Sequence, residues 1–333
     1  MKFLRFLLWV WCLLGIICLV GMNQVFIGSA FALLRWPLVI LALVLFWRKK
    51  SLRQVRIFQV VLVLMGLWIG ESLYRGVRYT RDVFVETKGA ELTIASYNVL
   101  FLNKYKQNII QEIRKENPEV LLLQEYTSGW QQVMSASIFK RYPYRRIYPR
   151  KGPYGLAILS QHPLKGDRLL LNDRQKPIAQ YTQLKVKGKS LHLLNIHLSS
   201  PAGAVENPEH FFSYYLLNYD VRKTQWKDVL DLVKNLPERE PILIGGDFNT
   251  MRWEPLYRDI RFECRDLFRA HGKGWRGTFP HVEKVPIPPL TLDYLMLRGP
   301  VKGKEAYTTP QATPTHNAQQ KAPYNSTFPQ SPR

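Results

Sequence analysis

The stretch PILIGGDFNT, residues 241–250, decides the fold of this chain. Residues 242–244 read as a short apolar strand that runs into two glycines and then Asp-Phe-Asn. By the two-residue period of a strand, Asp247 and Asn249 leave on the same face. A carboxylate and an amide fixed on a strand end can hold a hard divalent cation, a phosphate or an attacking water, all of which need rigid oxygens or amide donors. The rival reading is a turn, since Gly, Asp and Asn are common turn residues. Other strand ends of the same kind weigh against it.

Immediately upstream, the spacing of Val221, Trp226, Val229, Leu230 and Val233 predicts a helix over 220–236. Before it, 203–219 reads as a loop rich in Phe and Tyr, either a substrate lip or a segment against lipid. Further back, LHLLNIHLSS (191–200) puts Leu193, Asn195 and His197 on one strand face and the apolar Leu194, Ile196 and Leu198 on the other. His192 falls on the apolar face and reads as structural. ELTIASYN (91–98) is a strand ending on Asn98, and 106–117 is an amphipathic helix stopped by Asn117-Pro118. The continuous apolar run 120–123 reads as a strand buried on both faces, with Gln124 and Glu125 at its end. GLAILSQHPL (155–164) is a strand and turn, and 180–186 another strand. Downstream, LTLDYLML (290–297) is a strand carrying Asp293 in its middle, where a charge demands a partner or a ligand.

The whole chain has 333 residues and a formal net charge of +22, which speaks for an anionic partner: phosphate ester, nucleic acid or anionic lipid. In KRYPYRRIYPRK (140–151) basic residues interleave with tyrosines, a pattern that suits nucleic acid and equally a membrane-facing loop. Only three cysteines, Cys12, Cys18 and Cys264, leave no disulfide framework and no cysteine-based zinc site. Residues 3–22 are apolar except for Arg5, and at about 1.5 Å per residue they are long enough to cross a hydrocarbon core of about 30 Å. A signal peptide is the competing reading, weakened by two further apolar runs near 25–47 and 57–69. The basic link 48–56, RKKSLRQVR, belongs on the cytoplasmic side, so three spans would leave the chain beyond about residue 72 on the outer face.

In order and context, ASYNVL, LLLQEY, GLAILS, NIHLSS, ILIGGDFNT and LDYLML resemble the motifs of the endonuclease/exonuclease/phosphatase superfamily, which includes DNase I-like nucleases, sphingomyelinases and inositol-phosphate phosphatases. The layout is similar to bacterial members with an N-terminal membrane region, which implies an inner-membrane protein with its catalytic domain on the periplasmic or extracellular side. The resemblance implies a four-layer α/β sandwich (DNase I-like) over 91–300, preceded by a helical transmembrane region (1–72) and a linker (73–90). It implies Mg2+ or Mn2+ held by Glu125 with Asn98 close to metal and phosphate, and Asn195 beside them at the phosphate. It further implies His197 as a donor to a phosphate oxygen, Asp247 positioning or activating the attacking water, Asn249 orienting water or phosphate, and Asp293 paired with a late histidine.

The superfamily closes on Ser-Asp-His and an apolar strand, and here the sequence departs from it. After Asp293 there is no aspartate and one histidine, His316, so 301–333 reads as a disordered tail without the last strand or the closing dyad. A frameshifted or truncated gene, substitution by His316, or an inactive relative each account for that. Two functions follow: a membrane-anchored phosphodiesterase acting on nucleic acid or lipid head groups, or a non-catalytic relative binding phosphate-bearing ligands or a partner.

Overall fold

The computed structural model describes residues 91–201, 208–237, 240–273, 276–279, 290–308 and 324–327. The three apolar runs, the linker and His316 lie outside the described residues. Among the described residues, no helix is long and apolar enough to cross a membrane.

In chain order the elements are β1 (Glu91–Asn98), α1 (Lys106–Glu116), β2 (Val120–Gln124), α2 (Ser128–Ser137), β3 (Tyr144–Tyr148), β4 (Leu156–Ser160), β5 (Leu164–Leu171), β6 (Pro177–Val186) and β7 (Lys189–His197). They continue with α3 (Phe211–Lys234), β8 (Ile242–Asp247), α4 (Pro255–Glu263), β9 (Arg265–Asp266), α5 (Leu267–His271), β10 (Gly272–Lys273), β11 (Asp293–Arg298), β12 (Lys302–Tyr307) and β13 (Tyr324–Thr327). The strands form two sheets, ordered β10-β12-β13-β1-β2-β4-β3 and β5-β6-β7-β8-β11-β9. This is a mixed α/β domain built on two sheets.

Strand periodicity sorts the core. Leu92, Ile94, Leu122 and Ile158 of the first sheet pack against Leu184, Leu193, Leu243 and Leu295 of the second in one buried cluster. The alternate residues Ala95, Tyr97, Leu121 and Leu123 face the other way, onto Ile109, Ile110 and Ile113 of α1 and Trp130 and Met134 of α2. The two glycines of the opening stretch belong to this packing. A Cβ on Gly245 would stand 2.5 Å from Leu295 Cδ2 and 2.6 Å from Leu122 Cδ1, one from each sheet, so both leucine side chains would have to move to admit one. Gly246, at φ 141°, has the Ile196 carbonyl oxygen 2.0 Å from where a Cβ would be.

Several expectations change. The 203–219 stretch is not all loop, because α3 begins at Phe211; Tyr215, Tyr219, Arg222 and Trp226 are buried at helical spacing and carry the α3 face further upstream. Exposed Tyr214 and Leu217 between them blur the apolar periodicity. Asp293 is the first residue of its strand rather than the middle. The tail is not without strands: β12 and β13 lie in the first sheet, β13 between β12 and β1, with Leu92 opposite Ser326. A short strand of Tyr, Asn, Ser and Thr has no apolar alternation by which a sequence reading could find it.

Candidate active site

β1 and β2 run parallel, as do β7 and β8, so four carboxyl ends open on one mouth. The carboxyl ends of parallel strands are where open α/β sheets bind ligands. In the second sheet, His197 stands opposite Asp247 across β7 and β8, and Asp247 stands opposite Asp293 across β8 and β11. Three neighbouring strands thus present a titratable residue at one level. In the first sheet, Asn98 stands opposite Gln124, and Glu125 follows.

Asn98 joins the two sheets. Its Nδ2 donates to Glu125 Oε1 at 2.8 Å and to Asp247 Oδ2 at 3.1 Å, while its Oδ1 accepts from the Leu100 amide at 3.0 Å. The Leu100 amide can only donate, which fixes the orientation of the Asn98 side-chain amide. Glu125 Oε2 accepts from the Phe101 amide at 3.0 Å. Glu125 has φ 58° and Asn249 φ 47°, both left-handed. Asn tolerates that region, whereas a glutamate there costs about 1–2 kcal/mol, a strain of the kind that gathers at functional sites.

Asp247 is fully buried. Its Oδ1 accepts from the Asn249 amide at 2.8 Å, and its Oδ2 lies 3.8 Å from His197 Nε2. His197 Nδ1 is 3.0 Å from the Pro153 carbonyl, which only accepts, so Nδ1 carries a proton and Nε2 is turned to the carboxylate. Asn249 Nδ2 donates to the Leu198 carbonyl at 2.9 Å. Burial raises the Asp247 carboxyl above its ordinary value and Glu125 adds to this, against the lowering effect of His197, the Asn98 amide and the Asn249 N–H. Burial, and after it the Asp247 carboxylate, push Asp293 further up; the Thr278 hydroxyl, which accepts from the Leu292 and Asp293 amides, works the other way. Neither carboxylate oxygen of Asp293 has a hydrogen-bond partner among the described residues. A cavity of about 10 Å³, room for one water, lies beside it, lined also by Arg276, Thr278 and Tyr294.

Asn195 does not belong to this cluster. Its Nδ2 donates to the carbonyls of Leu123 (2.9 Å) and Ala157 (3.1 Å), and its Oδ1 accepts from Gln124 Nε2 at 2.6 Å. Every atom of that amide is taken up in clamping β7 to β2 and β4, so it has nothing left for a phosphate. The strand period placed it on the correct face, but the opposing sheet covers it. His192, hydrogen-bonded to Tyr181 (2.8 Å) and Glu240 (2.5 Å), is a satisfied structural residue. Within 140–151, Arg145 bonds the carbonyls of Phe139 and Tyr142, and Arg146 those of Leu164 and Gly166, so both guanidiniums are structural. Sequence reasoning missed Arg222, fully buried, whose Nη1 donates to the Asn249 carbonyl and, at 3.3 Å, to Thr250 Oγ1. It also missed Gln124 and the Pro153 carbonyl. A charged residue in a buried helical row was the available signal for Arg222.

Among the described residues, no three His, Cys, Asp or Glu side chains form a metal-holding group. The donor chemistry nevertheless fits a hard cation: carboxylate and amide oxygens, with several buried acids held together and one histidine facing them. Magnesium sites commonly use one or two carboxylates and leave the remaining positions to waters and substrate phosphates.

The profile of the Endonuclease/Exonuclease/phosphatase family matches residues 95–314, and the chain belongs to that family. It is similar to Phospholipase C of Staphylococcus aureus, 25% identical over 222 residues that cover 61% of this chain and 61% of that one. It is also similar to Uncharacterized protein YbhP of Escherichia coli K12, 28% identical over 161 residues, 46% of this chain and 54% of YbhP. The chain therefore spans less than two thirds of the length of these curated relatives. A crystal structure of D. rerio TDP2 complexed with single strand DNA product superimposes with a TM-score of 0.57, at 16% identity, covering 72% of this chain and all of that one, a likeness of fold.

Proposed function

We propose that this protein is a membrane-anchored phosphodiesterase, dependent on Mg2+ or Mn2+, whose catalytic domain works outside the cytoplasm. The observation that carries the chemistry is the level set of His197, Asp247 and Asp293 on three adjacent strands, facing Asn98 and Glu125 across the mouth. Family membership, the name of the S. aureus relative, Phospholipase C, and the DNA product in the TDP2 structure support phosphodiester hydrolysis. Membrane anchoring rests on the apolar runs of residues 3–69.

Glu125 would hold the cation, which when bound neutralises charge on the phosphate oxygens, and Asn98, its Nδ2 donating to Glu125 and Asp247, would steady both carboxylates beside it. His197, its Nδ1–H fixed by the Pro153 carbonyl, donates from Nε2 to an equatorial phosphate oxygen when both ring nitrogens carry protons. Asp247, raised by burial yet held ionisable by Asn98, His197 and the Asn249 amide, takes the proton of the attacking water. Asn249 is locked by the Leu198 carbonyl and Arg222, and its Oδ1 orients that water.

A second reading, a binding protein without turnover, draws on Asp293, whose carboxylate has no hydrogen-bond partner among the described residues. One experiment separates the two: hydrolysis of a generic phosphodiester by the full chain in detergent, with and without Mg2+, beside Glu125→Ala and Asp247→Ala. Turnover lost in both variants supports the enzyme. Saturable phosphate binding with no turnover in the unaltered chain supports the binding reading.

A further inference from the structure

The residues exposed around the mouth are chemically unlike the cleft floor. The loop 99–105 follows β1, the turn Gly152–Tyr154 precedes β4, and α3 begins where the chain returns from the end of β7 toward β8, so all three surround the same opening. Two contacts tie them there: Phe101 to Glu125, and Pro153 to His197. Asn218 of α3 bonds Ser199 and Ser200, just beyond His197.

Ten large apolar side chains are exposed among the described residues, and five of them, Leu102, Tyr105, Tyr154, Tyr214 and Leu217, stand on the loop, the turn and the first two turns of α3. Scattered singly they would need no explanation; gathered at a mouth they mark an interaction face. Leu102 is 69% exposed and Leu217 63%. Tyr214 and Leu217 lie one helical turn apart, on the side of α3 away from buried Tyr215 and Tyr219. Exposed Lys104, Arg150 and Lys151 accompany them, alongside the exposed carboxylates of Glu209, just before α3, and Asp220, one turn beyond Leu217. Tyrosines at the head-group level, leucines reaching below it and cations above match a lipid interface. Nucleic acid would use the cations and rings but has no use for two protruding leucines.

We infer that the mouth is a bilayer-docking face that brings the head group of a membrane phospholipid to the site. The substrate part of this inference rests on the phosphodiesterase reading, whereas the docking part is measured without turnover. Cysteine is placed at Leu102, Leu217 or the far-end turn residue Lys187 in full chain carrying Cys12→Ser and Cys18→Ser; Cys264 is buried and its thiol, pushed up to about 12, stays unlabelled. A fluorophore is attached, and the chain is reconstituted in phosphatidylcholine–phosphatidylglycerol vesicles with brominated acyl chains. Quenching at 102 and 217 but not at 187, unchanged by Glu125→Ala, is the expected result. Equal quenching at 187, or none at 102 and 217, overturns the inference. So does shielding of 102 and 217 from iodide by a single-stranded oligonucleotide, or by raised protein concentration without lipid, when brominated lipid does not quench.

Leu102→Ser with Leu217→Ser should then lower hydrolysis of a long-chain diester in vesicles on the order of tenfold and leave a short-chain soluble diester unchanged. An equal loss on both diesters overturns the inference. Quenching at 102 and 217 with no turnover of either diester upholds the docking face and fails the phosphodiesterase reading alone.

Discussion

Two of the buried acidic groups in the described domain, Asp266 with its partners and the Asp247–Asp293 pair, are built on opposite principles. Asp266 accepts from the Tyr257 hydroxyl and the Arg276 guanidinium on Oδ2, and from the Arg269 amide on Oδ1 (3.1 Å). Arg276 in turn lies over the rings of Phe268 (5.3 Å) and Tyr294 (5.5 Å). Burial alone would raise Asp266, but Arg276, Tyr257 and the amide hold it below the ordinary carboxylate value. Asp247 and Asp293 are equally enclosed and go the other way: burial raises both, a neighbouring carboxylate adds to it, and neither accepts a hydrogen bond from an arginine among the described residues to offset it. The paired cluster is complete in itself and reads as architecture. The cluster in excess of negative charge requires something from outside, a cation or a proton, and that deficit marks the functional end of the fold.

Breaking each cluster should give opposite kinds of damage. Asp247→Ala is expected to lower kcat/KM on a phosphodiester by about 10²- to 10⁴-fold, the usual loss for a general base, with little loss of stability. A destabilised, still active variant would put Asp247 with Asp266 as structure. Asp266→Ala leaves the Arg276 guanidinium buried without its acceptor. A cost of about 3–5 kcal/mol in urea unfolding is expected, with kcat/KM unchanged in the fraction that stays folded. Asn195→Ala orphans the Gln124 amide and two carbonyls between the sheets; about 1–3 kcal/mol should go from stability and nothing from substrate affinity. A rise in KM at constant stability would return Asn195 to the phosphate site.

A smaller and sign-dependent effect sharpens the contrast. The Asp293 carboxyl is raised in the folded chain, so its contribution to stability is fully present below the unfolded value of 3.8 and is lost as pH rises through the folded value. Asp293→Asn should therefore raise the melting temperature at neutral pH without added metal, and the gain should vanish as the pH falls toward 3.8. A variant that melts lower at neutral pH would mean the carboxylate has a cationic partner. For Asp266 the sign reverses: its stabilisation is present above its unfolded value and lost on acidification. The least effect is expected at Cys264, buried with its thiol pushed up to about 12: alkylation in the native state should be slower than in urea by the opening equilibrium alone.

Much of the site could be read before any coordinates, for a physical reason. A strand presents alternate residues on one face, and a functional end interrupts an apolar run with a polar residue, so Asn98, Glu125, His197, Asp247 and Asn249 announce themselves locally. The same period could not tell Asn195 from His197, which share a face two residues apart. The first is covered by Leu123 and Ala157 of the opposing sheet and the second is not. Nor could it find α3 upstream of residue 220, where exposed Tyr214 and Leu217 sit among buried Tyr215 and Tyr219.

By itself the amino-acid sequence determined most of the strands, their polar ends and the family, because each depends on neighbours within a few residues. Only the tertiary structure decided which polar ends share a pocket, which amide is a clamp, which acid is neutralised by arginine, and which leucines stand out at the mouth. Those depend on segments far apart in the chain meeting across two sheets, and no local pattern encodes the meeting.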